Sequence, residues 1–299
     1  MNKKLPARLI RGDTIGIAAP SGRTFEFQTE INDGIKILKK RGYKTILSEN
    51  FHRQDGDSAG NPAERAKAIN DFFAHKQIKA VWCSNGGDSA KQILNLINYK
   101  LISRNPKIIL GFSDNTHLIL AINKKSNLVT FHGPNLKDLS RLEPDCLDQI
   151  FRLLEKPEEL KYPSTFEVVR PGKTTGKLIG GNLYVLNNIL STDFRPRLEN
   201  SILFFEDIDD EISKIDTELE RLKSIVAHQK IRGLIVGHIV TKKKINELLK
   251  RFCQEQTFPV IKVGYFGHEG NQFLPLPLGI RVKIDTSKAL FELAEPALI

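Results

Sequence analysis

A serine hydroxyl becomes a useful nucleophile at neutral pH only when a base takes its proton and an acid holds that base in place. This chain offers candidates for all three roles. Ser113 stands in Gly111-Phe112-Ser113-Asp114-Asn115, between the apolar run Ile108-Ile109-Leu110 and a segment where Leu118, Ile119 and Ile122 recur at three and four residues. That pattern reads as a short buried strand followed by a helix, so Ser113 falls on the tight turn between them with helix N–H groups nearby. A G-x-S-x-G nucleophile elbow works in this way, although here the last position is Asn115. The same residues also fit an ordinary helix start in which Ser113 or Asp114 caps the first turn.

Seven histidines are available as bases. His52 and His75 lie in loop or helix-end positions without supporting context. His228 sits near the end of a long helix, where a cationic ring suits the dipole, and His132 and His238 each follow a strand. Two remain. His117 is one helical turn beyond Ser113, and His268 stands in Gly267-His268-Glu269-Gly270, where glycines allow close approach of backbone and ring. For the acid, Leu203-Phe204-Phe205-Glu206-Asp207 places two carboxylates at the end of an apolar strand. Successive strand residues face opposite sides, so only one of the two can share a face with a given site. A solvent-facing acid at a helix start fits equally well.

The elements that must position these groups alternate. Residues 14–19 read as a small-residue strand, then comes a helix carrying Ile31, Ile35 and Leu38, then a strand at 44–47 and a polar loop at 52–61. Asn61-Pro62 opens a helix with a cap and a proline at its first position. A strand at 78–83, a helix with Ile93, Leu94 and Ile97, the Ser113 strand and helix, and a strand at 128–131 follow. Strand–helix alternation implies a mainly parallel sheet covered on both faces, whose ligands gather outside the carboxyl ends of the strands. Pro20-Ser21-Gly22, Gly86-Gly87-Asp88-Ser89, Ser113-Asp114 and His132-Gly133 all follow strands, so they should share one edge.

Pro157, Pro163, Pro171 and Gly172 interrupt regular structure over 156–176. This reads as a boundary, with an N-terminal domain at 1–160, a linker at 161–175 and a C-terminal domain at 176–299. The second half continues with Gly176 to Asn182, a helix bearing Leu183, Leu186 and Leu190, the strand ending at Glu206, and a long amphipathic helix with Ile212, Ile215, Leu219 and Leu222. Further strands are expected at 233–237, 259–263 and 281–284, with a helix bearing Leu248, Leu249 and Phe252 between the first two.

Composition narrows the classes. A chain of 299 residues with 40% hydrophobic and 27% charged residues has the profile of a soluble globular protein. The net charge of +10 is spread thinly, and the clearest run, Lys242-Lys243-Lys244, reads as a solvated face. No basic stripe with groove-reading motifs appears, which argues against nucleic acid, whereas a small acidic substrate suits the charge. Three dispersed cysteines imply no disulfide framework and a reducing compartment. The N-terminus lacks the apolar core of a signal peptide and no stretch has the length of a membrane span, so a cytoplasmic protein with no membrane partner is expected. No His or Cys pairs occur at ligand spacing, so neither metal nor cofactor is expected.

Taken in order, Gly12-Asp-Thr-Ile-Gly-Ile-Ala-Ala-Pro-Ser21, Gly86-Gly87, Gly111-Phe-Ser-Asp114, Gly180-Gly-Asn-Leu183, Leu203-Phe-Phe-Glu-Asp207 and Gly267-His268 with Leu276-Pro-Leu-Gly279 resemble the LD-carboxypeptidase family of serine peptidases. That family includes murein tetrapeptide carboxypeptidases and microcin C immunity peptidases. The resemblance spans nearly the whole chain. It implies a flavodoxin-like N-terminal domain carrying Ser113 as nucleophile, and a smaller α/β C-terminal domain carrying His268 as base and Glu206 as the acid that orients it. By the same resemblance the backbone N–H groups of Gly87 and Asp114 form an oxyanion hole, the site lies between the domains, and the protein is a homodimer. The implied activity is hydrolysis of an amide near a free carboxylate, foremost release of a terminal D-amino acid from a muropeptide. A peptidyl- or aminoacyl-nucleotide is the alternative substrate. Asn85-Gly-Gly-Asp-Ser89 and Asn105-Pro-Lys-Ile108 lean toward the microcin branch. A reading from a different class is a small-anion or nucleotide-binding module, with the Gly86-Gly87 turn cradling a phosphate.

Overall fold

The computed structural model describes residues 3–160, 162–209, 211–227, 229–241, 245–254, 256–268 and 270–299. His228, the lysine run 242–244 and Glu269, singled out above, lie outside the described residues.

The first half runs β1 (Thr14–Ala18), α1 (Gln28–Lys40), β2 (Lys44–Leu47), α2 (Pro62–Ala74), β3 (Ile78–Cys83), α3 (Tyr99–Arg104), β4 (Ile108–Gly111), α4 (Thr116–Ser126), β5 (Thr130–His132) and α5 (Pro144–Glu155). The second half runs β6 (Glu167–Arg170), β7 (Lys173–Asn182), α6 (Leu183–Leu190), β8 (Ser201–Ile208), α7 (Ile212–Val226), β9 (Gly233–Val240), α8 (Asn246–Gln254), β10 (Val260–Lys262), β11 (Leu276–Leu278), β12 (Arg281–Asp285) and β13 (Leu290–Leu293).

Two sheets result. In the first, the parallel strands run in the order β2-β1-β3-β4-β5. This is the flavodoxin-like arrangement, in which the strand order reverses between β1 and β3 and leaves a crevice there. In the second, β7, β8, β9 and β10 are parallel, with β12 and β13 added antiparallel at one edge and β6 at the other.

Local chemistry accounts for several of these elements. Asn61 accepts a hydrogen bond from Glu64 N at 3.0 Å, and the Glu64 carboxylate accepts from Asn61 N at 2.9 Å. This reciprocal cap starts α2 where the Asn-Pro pair places it. β1 is buried along its whole length. A Cβ on its Gly16 would stand 2.7 Å from the Phe72 ring, so the bare backbone there lets α2 press against the sheet.

Three features depart from the periodicity. The segment with Ile93 and Leu94 is a 3-10 turn, Ala90–Leu96, instead of an α-helix. The stretch 161–175, expected as a linker, contains β6 and the start of β7, because antiparallel pairing with β10 supplies order that prolines and glycines alone do not suggest. β11 lies within the expected C-terminal domain, yet it pairs antiparallel with β5 of the first sheet. Pro277 cannot donate to a ladder, and β11 is an edge strand, where that loss is tolerated.

The loops after β1 and β3 are tied together by a buried arginine. Arg65 of α2 has no exposed surface and donates to the carbonyls of Gly60 (3.0 Å), Pro20 (3.0 Å) and Ser89 (2.8 Å) and to the Gln92 side chain (2.5 Å). Arg65→Met keeps the bulk but leaves these buried acceptors unpaired, and is expected to cost about 3 kcal/mol. Urea unfolding should show the loss, while Lys67→Ala, which breaks only exposed ion pairs, should stay within about 0.5 kcal/mol of the parent protein.

Candidate active site

Segments following β1, β3, β4 and β5 line a cavity of about 990 Å³ together with Ile208, at the end of β8, and His268 from the segment after β10. A second cavity of about 530 Å³ adjoins it and shares Gly87, Asp88, Ser113, Ile208 and His268. The carboxyl ends of the two parallel sheets therefore meet at one cleft. A direct tie between them is the hydrogen bond from Asn182 N, at the end of β7, to the Thr116 hydroxyl, at the start of α4 (3.2 Å).

Ser113 sits on the turn between β4 and α4 with φ +60°. A non-glycine residue there is uncommon and costs free energy that the surroundings must supply. The backbone directs the side chain toward the β3 loop, where a Cβ on Gly86 would lie 3.1 Å from Ser113 Oγ and 4.0 Å from Asp114 N. Neighbouring Gly87 has φ +147°, and a Cβ there would come within 2.5 Å of Gly22 N. Only glycine fits that close approach.

Neither Ser113 nor Asp114 caps α4, the helix that follows them. The Asp114 carboxylate is buried and accepts hydrogen bonds from the Ser21 hydroxyl and from Ala90 N (2.7 Å), while its other oxygen meets His117 Nδ1 at 3.0 Å. It thereby joins the segments after β1 and β3 to the Ser113 turn. Asn135 extends the same network. Its side-chain oxygen accepts from Phe112 N (3.3 Å) and from the Asn115 amide (3.0 Å), whose nitrogen also reaches Asn85 O (2.9 Å).

On the opposite wall Glu206 is fully buried and its Oε2 lies 2.5 Å from His268 Nδ1. The same oxygen accepts from His268 N at 3.2 Å. Burial disfavours the charged form of both groups, but the mutual charge and hydrogen bond outweigh it. The imidazole pKa is raised above its ordinary value and the carboxyl is lowered below its own. Phe112 packs on the imidazole at 4.6 Å between ring centroids. The His268 carbonyl accepts from His238 Nδ1 at 2.7 Å, which anchors the segment from behind. Of the two acids at the end of β8, Asp207 faces elsewhere. It accepts from the Asn182 amide (2.7 Å) and from Tyr184 N (3.3 Å), and burial beside Glu206 raises its pKa to about 7.

The residues singled out from the sequence thus divide. Ser113, His268 and Gly87 line one cavity, Asp114 borders its neighbour, and Glu206 backs His268. Ser113 and the His268 ring line the same cavity without a hydrogen bond between them among the described residues. His117 turns to Asp114 and lines a different pocket, so it has no place beside the Ser113 hydroxyl. His132 is buried among Phe112, Phe204 and Phe273, its ring nitrogens have no partner among the described residues, and burial lowers its pKa to about 4. Lys137, Asp138 and Arg141, also on the cavity wall, carried no periodic or motif signal in the sequence.

The fold is that of a two-domain α/β protein with one cleft at the carboxyl ends of its two parallel sheets. Residues 15–133 match the family model for the LD-carboxypeptidase N-terminal domain, and residues 175–284 match that for the LD-carboxypeptidase C-terminal domain. A probable murein peptide carboxypeptidase of Bacillus subtilis is 30% identical, over 95% of this chain and 92% of that protein. The microcin C7 self-immunity protein MccF of Escherichia coli is 28% identical, over 98% and 96%. The solved structure of MccF in complex with glutamyl sulfamoyl guanosine superposes with a TM-score of 0.90 at 26% identity, covering 99% of both chains. The chain belongs to the LD-carboxypeptidase family. Among the described residues no helix is long and apolar enough to cross a membrane.

Burial lowers the His268 pKa and Glu206 is the foremost group that raises it, with Asp207 and Asp138 adding to it. Glu206→Gln removes that foremost charge, so the imidazole pKa should fall from its raised value in the parent protein. NMR titration of the ring protons reads the sign directly, and an unchanged value would refute the assigned cause.

Proposed function

We propose that the chain is a serine peptidase that hydrolyses an amide near a free carboxylate, foremost the bond holding a terminal D-amino acid in a muropeptide. The observation that carries this reading is the buried Glu206–His268 pair facing the cavity onto which the strained Ser113 turn opens. In this reading Ser113 Oγ attacks the carbonyl carbon while His268 Nε2 takes the hydroxyl proton. The new C–O bond forms as the carbonyl becomes an oxyanion, held by the N–H groups of Gly87 and Asp114. The C–N bond then breaks, and the imidazolium returns the proton to the departing amine. Water, activated by the same ring, attacks the acyl-enzyme and releases the serine. Glu206 holds the tautomer in which Nδ1 carries hydrogen and stabilises the transient imidazolium. The turn at Gly86 and Gly87 supports the oxyanion role, because it brings bare backbone against Ser113 Oγ and Asp114 N. Each such donor is worth roughly 3 kcal/mol in other hydrolases.

A second reading within the same chemistry is cleavage of a peptidyl- or aminoacyl-nucleotide. It is favoured by the likeness to MccF over 99% of the chain. The reaction steps are unchanged and only the leaving group differs. A cytoplasmic homodimer belongs to both readings, and sedimentation equilibrium checks the dimer.

Ser113→Ala and His268→Ala are each expected to lower kcat by roughly a millionfold on an L,D-tetrapeptide, because groups acting as a unit fail together. Near-parental release of the terminal D-residue by either variant would remove the assignment. Mass spectrometry of parallel digests of a muropeptide and an aminoacyl sulfamoyl nucleoside separates the two substrates. For the parent enzyme, kcat/KM should fall on acidification at a pH above the ordinary histidine pKa, since the raised pKa keeps His268 protonated, and idle as a base, to higher pH.

A further inference from the structure

The larger cavity has three cations on its wall, Arg23, Lys137 and Arg141. Two are already committed. Arg23 pairs with Glu26 at 2.5 Å and Asp57 at 2.9 Å. Arg141 pairs with Asp138 at 3.2 Å and also donates to the Gly270 carbonyl. Lys137 differs. Among the described residues no carboxylate pairs with it, and its Nζ instead rests 3.7 Å from the centroid of the Phe27 ring. An aromatic face holds a cation in position without neutralising it.

The backbone of Lys137 is tied to the segment after β3 and, through Asn135, to the Ser113 turn. Lys137 N donates to Ser84 O at 3.1 Å. Two residues earlier, Asn135 accepts from Phe112 N and from Asn115, on either side of Ser113. A half-buried lysine whose backbone is fixed near the serine turn, and which lacks a counter-ion among the described residues, is built to receive an anion from outside the protein. Asp88, the remaining carboxylate on this wall among the described residues, is exposed and belongs to no pair there.

We propose that Lys137 is the specificity-determining cation that binds the terminal carboxylate of the residue to be released. This rests on the peptidase reading above and deepens it. Lys137 touches no reacting atom. It contributes equally to the bound substrate and the transition state, so its loss belongs in KM and leaves kcat nearly unchanged.

The test compares an L,D-tetrapeptide bearing a free terminal carboxylate with the same peptide carrying a terminal carboxamide, and with a third form amidated only at an internal carboxylate. With the parent enzyme, kcat/KM should be about 10- to 100-fold higher for the free acid than for the terminal amide, as for a charge-assisted hydrogen bond. Lys137→Met should erase that preference by raising KM for the free acid, leaving the terminal amide unaffected, and Lys137→Arg should restore a part of it. Lys137→Gln reads the same quantity if the methionine variant does not fold. Equal losses on the acid and the terminal amide, or an intact preference in a folded variant, would overturn the role of Lys137 while leaving the peptidase reading standing. Dependence on the internal carboxylate alone would also overturn it. A parent enzyme that cleaves none of the three peptides would instead remove the peptidase reading, and this inference with it.

Discussion

A carboxylate sealed from water must find donors inside the protein, and Glu206 finds them in a single residue. Its Oε2 accepts from both the ring and the backbone N–H of His268, and no part of it is exposed. Much of the second sheet serves this contact. β8 runs buried between β7 and β9 and delivers Glu206 at its carboxyl end. Gly267, at φ +124°, lets the chain pass so close that a Cβ would stand 2.7 Å from Glu206 Cβ. Gly237 on β9 gives way in the same manner, since a Cβ there would lie 2.9 Å from Glu206 Cβ. Breaking the pair would strand a buried charge, which generally costs more than such a pair contributes.

The first sheet solves a matching problem with a different acid. Asp114 is the residue after Ser113, and its carboxylate gathers Ser21, Ala90 and His117. Arg65 fastens the same loops from the α2 side. The strain of a serine at positive φ is therefore held by hydrogen bonds on both sides of the turn and does not depend on the turn's own propensity. These contacts fall at the crevice between β1 and β3, where a doubly wound sheet leaves space at its strand ends.

What could be read from residue order follows from this division. The parallel alternation, the α2 cap and the strand–helix setting of Ser113 are carried by local periodicity and turn chemistry, which act over a few residues. Choosing between Glu206 and Asp207 was beyond that signal. Alternation says that they face opposite sides without saying which side holds the cleft, and the β8–β9 register shift between Phe205 and Asp207 disturbs the ladder there. Asp114 looked like a helix cap because its partners, Ser21 and Ala90, are remote in sequence. The pairing of β11 with β5 leaves no local sign for the same reason, since it spans well over a hundred residues. Lys137 has an ordinary residue type in an ordinary turn, and only the pairing of its neighbours makes it distinct.

Both walls of the cleft are fixed by contacts from several elements. Ser113 is locked by contacts on both sides, and the imidazole opposite is held through three points: Glu206 from β8, His238 from β9, and Phe112 packed on its face. The backbone leading to the ring is pinned as well, since Phe266 O accepts from His238 N at 2.6 Å and Tyr265 O accepts from Leu274 N at 3.0 Å. The orientation of the ring is thus set by the strands behind it. The ordering of the acid and the ring is met by folding, before anything enters the cleft, and that is the condition under which positioned groups act at small entropic cost.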